Sequence, residues 1–151
     1  WTTVPEDNDL PTEGQFIVGL AHWREHRDSL VQRNTPLGIR LRSDEFPDEI
    51  AEDIGRFSLI ALEFPTFRDG RAYSHARRLR ERFGFKGELR AVGNVLRDQW
   101  LFMRRCGFDA FEVEDSDVEP AWRIANDEIR VFYQPAPDRR PGVLALRHGS
   151  K

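Results

Sequence analysis

A charged turn, Arg68-Asp69-Gly70-Arg71, stands between an apolar run and an amphipathic stretch, and Asn94, Arg97 and Asp98 follow the next apolar run at Gly93. Arginine offers a planar fork that binds carboxylate, sulfate or phosphate oxygens two at a time. A helix start adds unpaired N–H groups and the positive end of the helix dipole. Arg68, Asp69, Gly70, Arg71, Gly93, Asn94 and Asp98 are therefore candidate ligands for a small oxyanion or a phosphorylated small molecule. The same types have a structural reading: Asp69 and Asp98 as helix caps, Gly70 and Gly93 as turn residues, and the arginines solvated or ion-paired. Arg42, Ser43, Asp44, Glu114 and Asp115 occupy equivalent places after other apolar runs.

Other chemistries find little support. No GxGxxG follows a strand-like run and no GxxxxGK is present, so the nucleotide-binding fingerprints are missing. Ser74 falls within a helical pattern rather than on a strand-to-helix elbow, which argues against a serine hydrolase. Cys106 is the single cysteine. It excludes an intrachain disulfide and a thiolate metal cluster, and the apolar Phe102 four residues earlier favours a packed thiol over a reactive one. His22 and His26 have metal-ligand spacing but no third ligand nearby, and they read as a surface pair; His75 and His148 stand apart. No metal and no cofactor are expected. The net charge of −3 supplies no electrostatic term for nucleic acid, and no apolar run reaches the roughly 20 residues of a membrane span. A cytoplasmic location without membrane or nucleic-acid partners is the expectation.

The elements that must position these residues alternate. Residues 1–14 read as an extended lead-in with prolines and acids, residues 15–135 as one α/β domain, and residues 136–151 as a loose tail in which 143–146 could dock as an edge strand. Within the domain the apolar runs 16–20, 37–42, 59–64, 88–93, 109–113 and 130–134 have strand length. Helical stripes lie between them at 22–33, ending near Asn34, then at 47–57 with Pro47 in the first turn, 72–83 and 98–106. Ser116 and Glu119 have capping-box spacing before a stripe of Val118, Ala121, Trp122 and Ala125. Arg77, Arg78, Arg80 and Arg82 crowd the outer face of the third stripe, as a solvated face or as a docking surface for an acidic partner.

Consecutive βα units imply a mainly parallel sheet of about six strands. Arg40, Arg42, Glu63, Glu88, Arg90 and Glu112 interrupt the strands, and an unpartnered buried charge costs several kcal/mol or more. One face of the sheet must then be polar, with Arg40, Glu63, Arg90 and Glu112 converging on it. That favours a curled partial-barrel, TIM-like arrangement with outer helices over a flavodoxin-like sandwich.

Three stretches carry a resemblance: Phe64-Pro-Thr-Phe-Arg-Asp-Gly-Arg-Ala-Tyr-Ser-His-Ala-Arg-Arg-Leu-Arg80, Gly87-Glu-Leu-Arg-Ala-Val-Gly-Asn-Val-Leu-Arg-Asp-Gln99 and Arg105-Cys-Gly-Phe-Asp-Ala-Phe111. In identity and spacing they resemble the bacterial domain-of-unknown-function family 934 over most of residues 20–133. Glu63 departs from the family's usual Asp. The resemblance marks Glu63, Phe67, Asp69, Gly70, Arg71, Tyr73, Ser74, Arg77, Glu88, Arg90, Gly93, Asp98 and Gln99 as site candidates. Members lie beside sulfite-reductase and sulfate-assimilation genes and are described, by that association, as oxidoreductases of sulfite reduction.

Taken together, these features lead to an accessory or small-anion-binding protein of assimilatory sulfate and sulfite reduction. Its implied partner is a sulfite reductase or another sulfur-assimilation enzyme, because the chain carries no flavin, haem, iron–sulfur or nicotinamide fingerprint of its own. Two alternatives stand beside it. One is a stand-alone lyase- or isomerase-like enzyme, or an oxidoreductase of sulfite reduction, with Glu63 or Glu88 as base beside Arg71 and Arg90. The other is an interaction module using the arginine-rich helix.

Overall fold

The computed structural model describes residues 1–113 apart from Asp7, Thr12 and Phe67, together with Ala136 and Pro137. The carboxylates Glu114 and Asp115, the expected helix after Ser116, the strand 130–134, the edge strand 143–146 and His148 lie outside the described residues.

Six parallel strands pair in strict chain order: β1 (Thr2–Thr3), β2 (Phe16–Gly19), β3 (Leu37–Leu41), β4 (Phe57–Phe64), β5 (Glu88–Gly93) and β6 (Ala110–Phe111). Helix α1 (Leu20–Val31) follows β2, a 3₁₀ helix (Pro47–Arg56) follows β3, and α2 (Arg71–Glu81) follows β4. After β5 come a short 3₁₀ turn (Arg97–Gln99) and α3 (Trp100–Cys106). Right-handed crossovers taken always in the same direction deliver the described helices to one face. The sheet therefore curls into a half-barrel with these helices outside and, among the described residues, none on its concave face.

Strand alternation sorts the side chains between the two faces. Phe16, Val18, Ile39, Leu41, Ile60, Leu62, Phe64, Leu89 and Ala91 turn to the helices and join Trp23, Leu79, Trp100, Met103 and Phe108 in the main core. On the other face Ile17, Leu59, Ala61 and Val92 form a smaller apolar cluster. Arg40 is in register with Ala61, Ala61 with Arg90, and Arg90 with Ala110. Glu63 and Glu88, each two residues from a member of that row, share its face, as does Glu112, whose N–H extends the pairing by donating to Ala91 at 2.9 Å. The polar interruptions thus share the concave side.

Several boundaries differ from the sequence pattern, each for a local reason. Thr2–Thr3, inside the expected lead-in, adds an edge strand, with Thr2 N–H donating to Gln15 at 3.1 Å and Val4 N–H to Ile17 at 2.9 Å. Leu20 opens α1 instead of closing the strand, and the helix ends at Val31 with Gln32, not Asn34, as its C-cap. The segment from Pro47 winds as 3₁₀. The segment expected as a helix from Asp98 begins as a 3₁₀ turn and becomes α-helical only at Trp100, and Gly107 closes it at φ 109°.

Candidate functional site

The turn between β4 and α2 brings together much of the predicted anion set. Asp69 Oδ1 accepts from the Arg71 backbone N–H at 3.2 Å and from Arg71 Nε at 3.0 Å, while Oδ2 accepts from Arg71 Nη2 at 2.7 Å. Nη2 also donates to Ser43 Oγ at 2.9 Å, tying this turn to the end of β3. Those bonds from Arg71 hold the Asp69 carboxyl well below the usual carboxylate range. The guanidinium fork is thereby filled by a residue of its own turn, and an outside anion must displace Asp69 to use it. Gly70 caps α2 with an ordinary φ of −89°, and Arg68 is exposed beside it.

The neighbouring loop is shaped by backbone contact. Gly93 has φ 87°, and a Cβ there would stand 2.6 Å from the Phe64 carbonyl oxygen, which also accepts from Asn94 N–H at 2.7 Å. Only glycine fits that crossing of β5 and β4. Asp98 lies in the first turn of the 3₁₀ segment, where no side chain caps the helix, and Gln99 has its side-chain oxygen buried.

Glu63, Glu88 and Arg90 lie on the concave face and, as the cost of burying an unpartnered charge implies, they pair with other charges of the sheet. Glu63 Oε2 is 3.2 Å from Arg40 Nη2, and Glu88 Oε1 is 2.7 Å from Arg90 Nη2. The arginine partner of each carboxylate comes from the sheet itself, not from Arg71. Beyond β3, Arg42 meets Glu45 at 3.3 Å and Glu6 at 4.0 Å. Arg40, Arg42, Glu6, Glu45 and Glu63 line a cavity of about 250 Å³ at the carboxyl ends of β2, β3 and β4, with the N-terminal segment as one wall.

A second cavity, of about 260 Å³, opens on the helix side between α2 and α3. Tyr73, Ser74, Arg77, Phe102, Arg105 and Cys106 line it. Tyr73 packs edge-on against Phe102 at 4.9 Å between ring centroids, and burial pushes its phenol pKa up. Arg77 is exposed and, among the described residues, bonds only its helical neighbour Glu81, at 3.2 Å. Cys106 is buried, as its packing position implies. Sequence reading marked Tyr73 and Ser74 as site candidates through the family pattern, and Arg77 through that pattern and as part of the arginine-rich face. Their meeting with α3, some thirty residues away, depends on packing.

The arginines of α2 divide by role. Arg78 and Arg82 both pair with Asp48 on the 3₁₀ helix. Arg80 is turned inward and donates to the carbonyls of Phe85 at 2.7 Å, Gly87 at 2.9 Å and Gly107 at 2.9 Å, and to the Asp109 carboxylate. The expectation that all four line one outer face therefore fails at Arg80, because the turn carbonyls beside it need a donor. His22 departs likewise from the expected surface pair: it is buried, 5.7 Å between ring centroids from half-buried His26. His75 is also buried, against Phe46. Among the described residues no group of three or more His, Cys, Asp or Glu is placed to hold a metal ion. Nor, among them, is any helix long and apolar enough to cross a membrane.

A family model described as a bacterial protein of unknown function (DUF934) matches residues 38–143, which include the α2–α3 cavity and, of the concave-side cavity, Arg40, Arg42, Glu45 and Glu63. The chain belongs to that family. No curated protein matches the chain, and no solved structure does. Within DUF934, the matched span begins in β3 and takes in the Arg71 turn, the concave-face pairs and the α2–α3 cavity.

Proposed function

We propose that this DUF934 protein is a cytoplasmic, small-anion-binding accessory protein of assimilatory sulfate and sulfite reduction, acting with a sulfite reductase or another cofactor-bearing enzyme of sulfur assimilation. The observation that carries the anion reading is the α2–α3 cavity. Its described lining offers two guanidinium groups, two hydroxyls and a thiol, and among the described residues no carboxylate. Among the described residues Arg77 is held there only by an exposed i,i+4 pair with Glu81, an interaction worth about 0.3–0.5 kcal/mol, so an incoming oxyanion displaces little. The Arg71 turn is the less favourable seat, since its fork already holds Asp69. The sulfur context rests on the company that relatives keep, and the need for a partner on the absence of a redox-cofactor fingerprint.

Isothermal titration with sulfite, sulfate and phosphate tests the reading, run on wild type and on Arg77→Ala and Ser74→Ala. A charged hydrogen bond contributes about 1.5–3 kcal/mol, so loss of Arg77 should weaken binding by roughly 10- to 100-fold. Deletion-strain growth on sulfate, sulfite and cysteine supplies the biological arm. Equal growth on all three sources, with no anion bound by wild type, defeats the proposal. A stand-alone enzyme is the second reading, favoured by the partly exposed Glu63–Arg40 and Glu88–Arg90 pairs on the concave face.

A further inference from the structure

The cavity on the concave side has a charge pattern that the α2–α3 cavity lacks. Its described ionic lining consists of two guanidiniums, Arg40 and Arg42, and three carboxylates, Glu6, Glu45 and Glu63. Each arginine already has a close acid: Glu63 at 3.2 Å for Arg40 and Glu45 at 3.3 Å for Arg42. Glu6 is the third carboxylate, reaching Arg42 only at 4.0 Å with a side chain that is more than half exposed. One negative charge is thus in excess, and the most loosely held acid is the one brought in by the N-terminal segment.

Three kinds of small ligand can be weighed against that pattern. A simple anion would enter a space where carboxylates outnumber guanidiniums, and like charges at such range repel. A simple cation would balance the excess but could not take the place of Glu6 at the fork of Arg42, which Glu6 reaches only at 4.0 Å. A molecule with an acid group and an ammonium group satisfies both. Its acid replaces the marginal Glu6 contact on Arg42, while its ammonium donates to Glu63, which Arg40 meets at 3.2 Å with both side chains partly exposed. The volume, about 250 Å³, equals about eight waters at roughly 30 Å³ each, which suits a molecule the size of a small amino acid.

We infer that the concave mouth of the half-barrel is a binding site for a small ampholyte of the α-amino-acid class, with Arg42 taking its acid group and Glu63 its ammonium group. The Glu6 carboxylate stands where the ligand's acid group goes, and a turn of its exposed side chain clears the place without moving β1. This site is independent of the anion cavity between α2 and α3, and either could exist without the other.

Titration calorimetry with a panel of L-amino acids, beside acetate and ethylammonium as the two half-molecules, tests the inference on the full chain. At least one amino acid should bind wild type about tenfold or more tightly than either half-molecule. Glu63→Gln should weaken that binding about tenfold while leaving sulfate binding at the α2–α3 cavity unchanged. Should Glu63→Gln fail to fold, Arg42→Gln at the exposed end of β3 provides the same test. The inference is overturned if no amino acid binds, if acetate or ethylammonium binds as well as the amino acid, or if neither variant weakens binding.

Discussion

Arg80 Nε donates to the Gly107 carbonyl across 2.9 Å, which fastens α2 to the residue that closes α3. The same guanidinium satisfies the carbonyls of Phe85 and Gly87 in the turn before β5, and its stem lies 2.6 Å from where a Cβ on Gly107 would stand. One side chain therefore holds two loops and fixes the spacing of α2 and α3 on which the outer cavity depends. Arg80→Met keeps the stem and removes every donor. With hydrogen bonds to charged groups worth about 1.5–3 kcal/mol each and not additive, a loss of about 3 kcal/mol is expected. Urea unfolding measures it, and a loss below about 1 kcal/mol would show that water replaces the guanidinium without cost.

The two glycines of the candidate anion set should respond in opposite ways. At Gly93, φ is 87° and a Cβ would meet the Phe64 carbonyl at 2.6 Å, so Gly93→Ala should destabilise by about 2 kcal/mol or more. At Gly70 the backbone is ordinary and the nearest atom to a Cβ is 3.7 Å away. Gly70→Ala should change stability by no more than about 0.5 kcal/mol. Thermal melts of both variants decide whether the structural distinction holds.

Acid should act on the Asp69–Arg71 pair late in a titration. Hydrogen bonding from Arg71 is the first cause of the lowered Asp69 pKa. A carboxyl whose folded pKa is depressed contributes stability that is present above its unfolded pKa, about 3.9, and is lost as pH falls through the folded value. Carbon-detected NMR should find the Asp69 carboxyl still ionised below about pH 3.9. In Arg71→Lys, which loses the planar fork, its midpoint should move back up toward that value; an unmoved midpoint would assign the shift to other groups.

His75 should make itself felt nearer neutrality. Its pKa is lowered by burial first, then by the positive charges of Arg71 and Arg78, against smaller opposing effects from Asp69 and Asp48. The unfolded state therefore takes up a proton near pH 6.5 that the folded state resists, and stability falls as pH drops from there toward the folded pKa. Replacing the imidazole with the uncharged amide of His75→Gln should flatten the urea midpoint between pH 7 and pH 5, whatever its effect at pH 7. An unchanged slope would place the titrating group elsewhere.

Much of the fold can be read from alternation. Leu37-Gly-Ile-Arg-Leu41 and Glu88-Leu-Arg-Ala-Val-Gly93 place every charge on one parity, and a parallel sheet with one polar face and outer helices has to curl. What could not be read depends on partners distant in sequence or on patterns shared by two structures. Thr2–Thr3 has no period long enough to announce a strand; it becomes one by pairing with β2. Ile50, Ile54 and Phe57 suit an α stripe, yet the segment winds as 3₁₀. Arg80 looks like its charged neighbours because its carbonyl partners lie in loops. The turn at Arg68 to Arg71 was visible with two readings, an anion seat or a pairing of Arg71 with its own acids, and the hold of Asp69 on Arg71, a matter of rotamer, is the second of them. Arg77 joins Arg105 and Cys106 only after two helices pack.

The last prediction concerns Arg40 and Glu63, on neighbouring strands at the mouth of the concave face. Their 3.2 Å contact is partly exposed, with 38% of the arginine side chain and 23% of the glutamate side chain accessible. Solvent screening then limits the pair, and a double-mutant cycle of Arg40→Gln and Glu63→Gln should give a stability coupling below about 1 kcal/mol. Small coupling matters for function. A charge pair that contributes little to folding, set on a strand where an apolar residue could stand, points to a use in the folded state. If the pair were instead a structural brace, breaking it would strand a charge, cost about 3–5 kcal/mol, and be relieved by replacing both partners together. Urea unfolding of the two single variants and the double variant separates these outcomes. Coupling near zero leaves Glu63 available to a ligand, and coupling of several kcal/mol assigns it to the sheet.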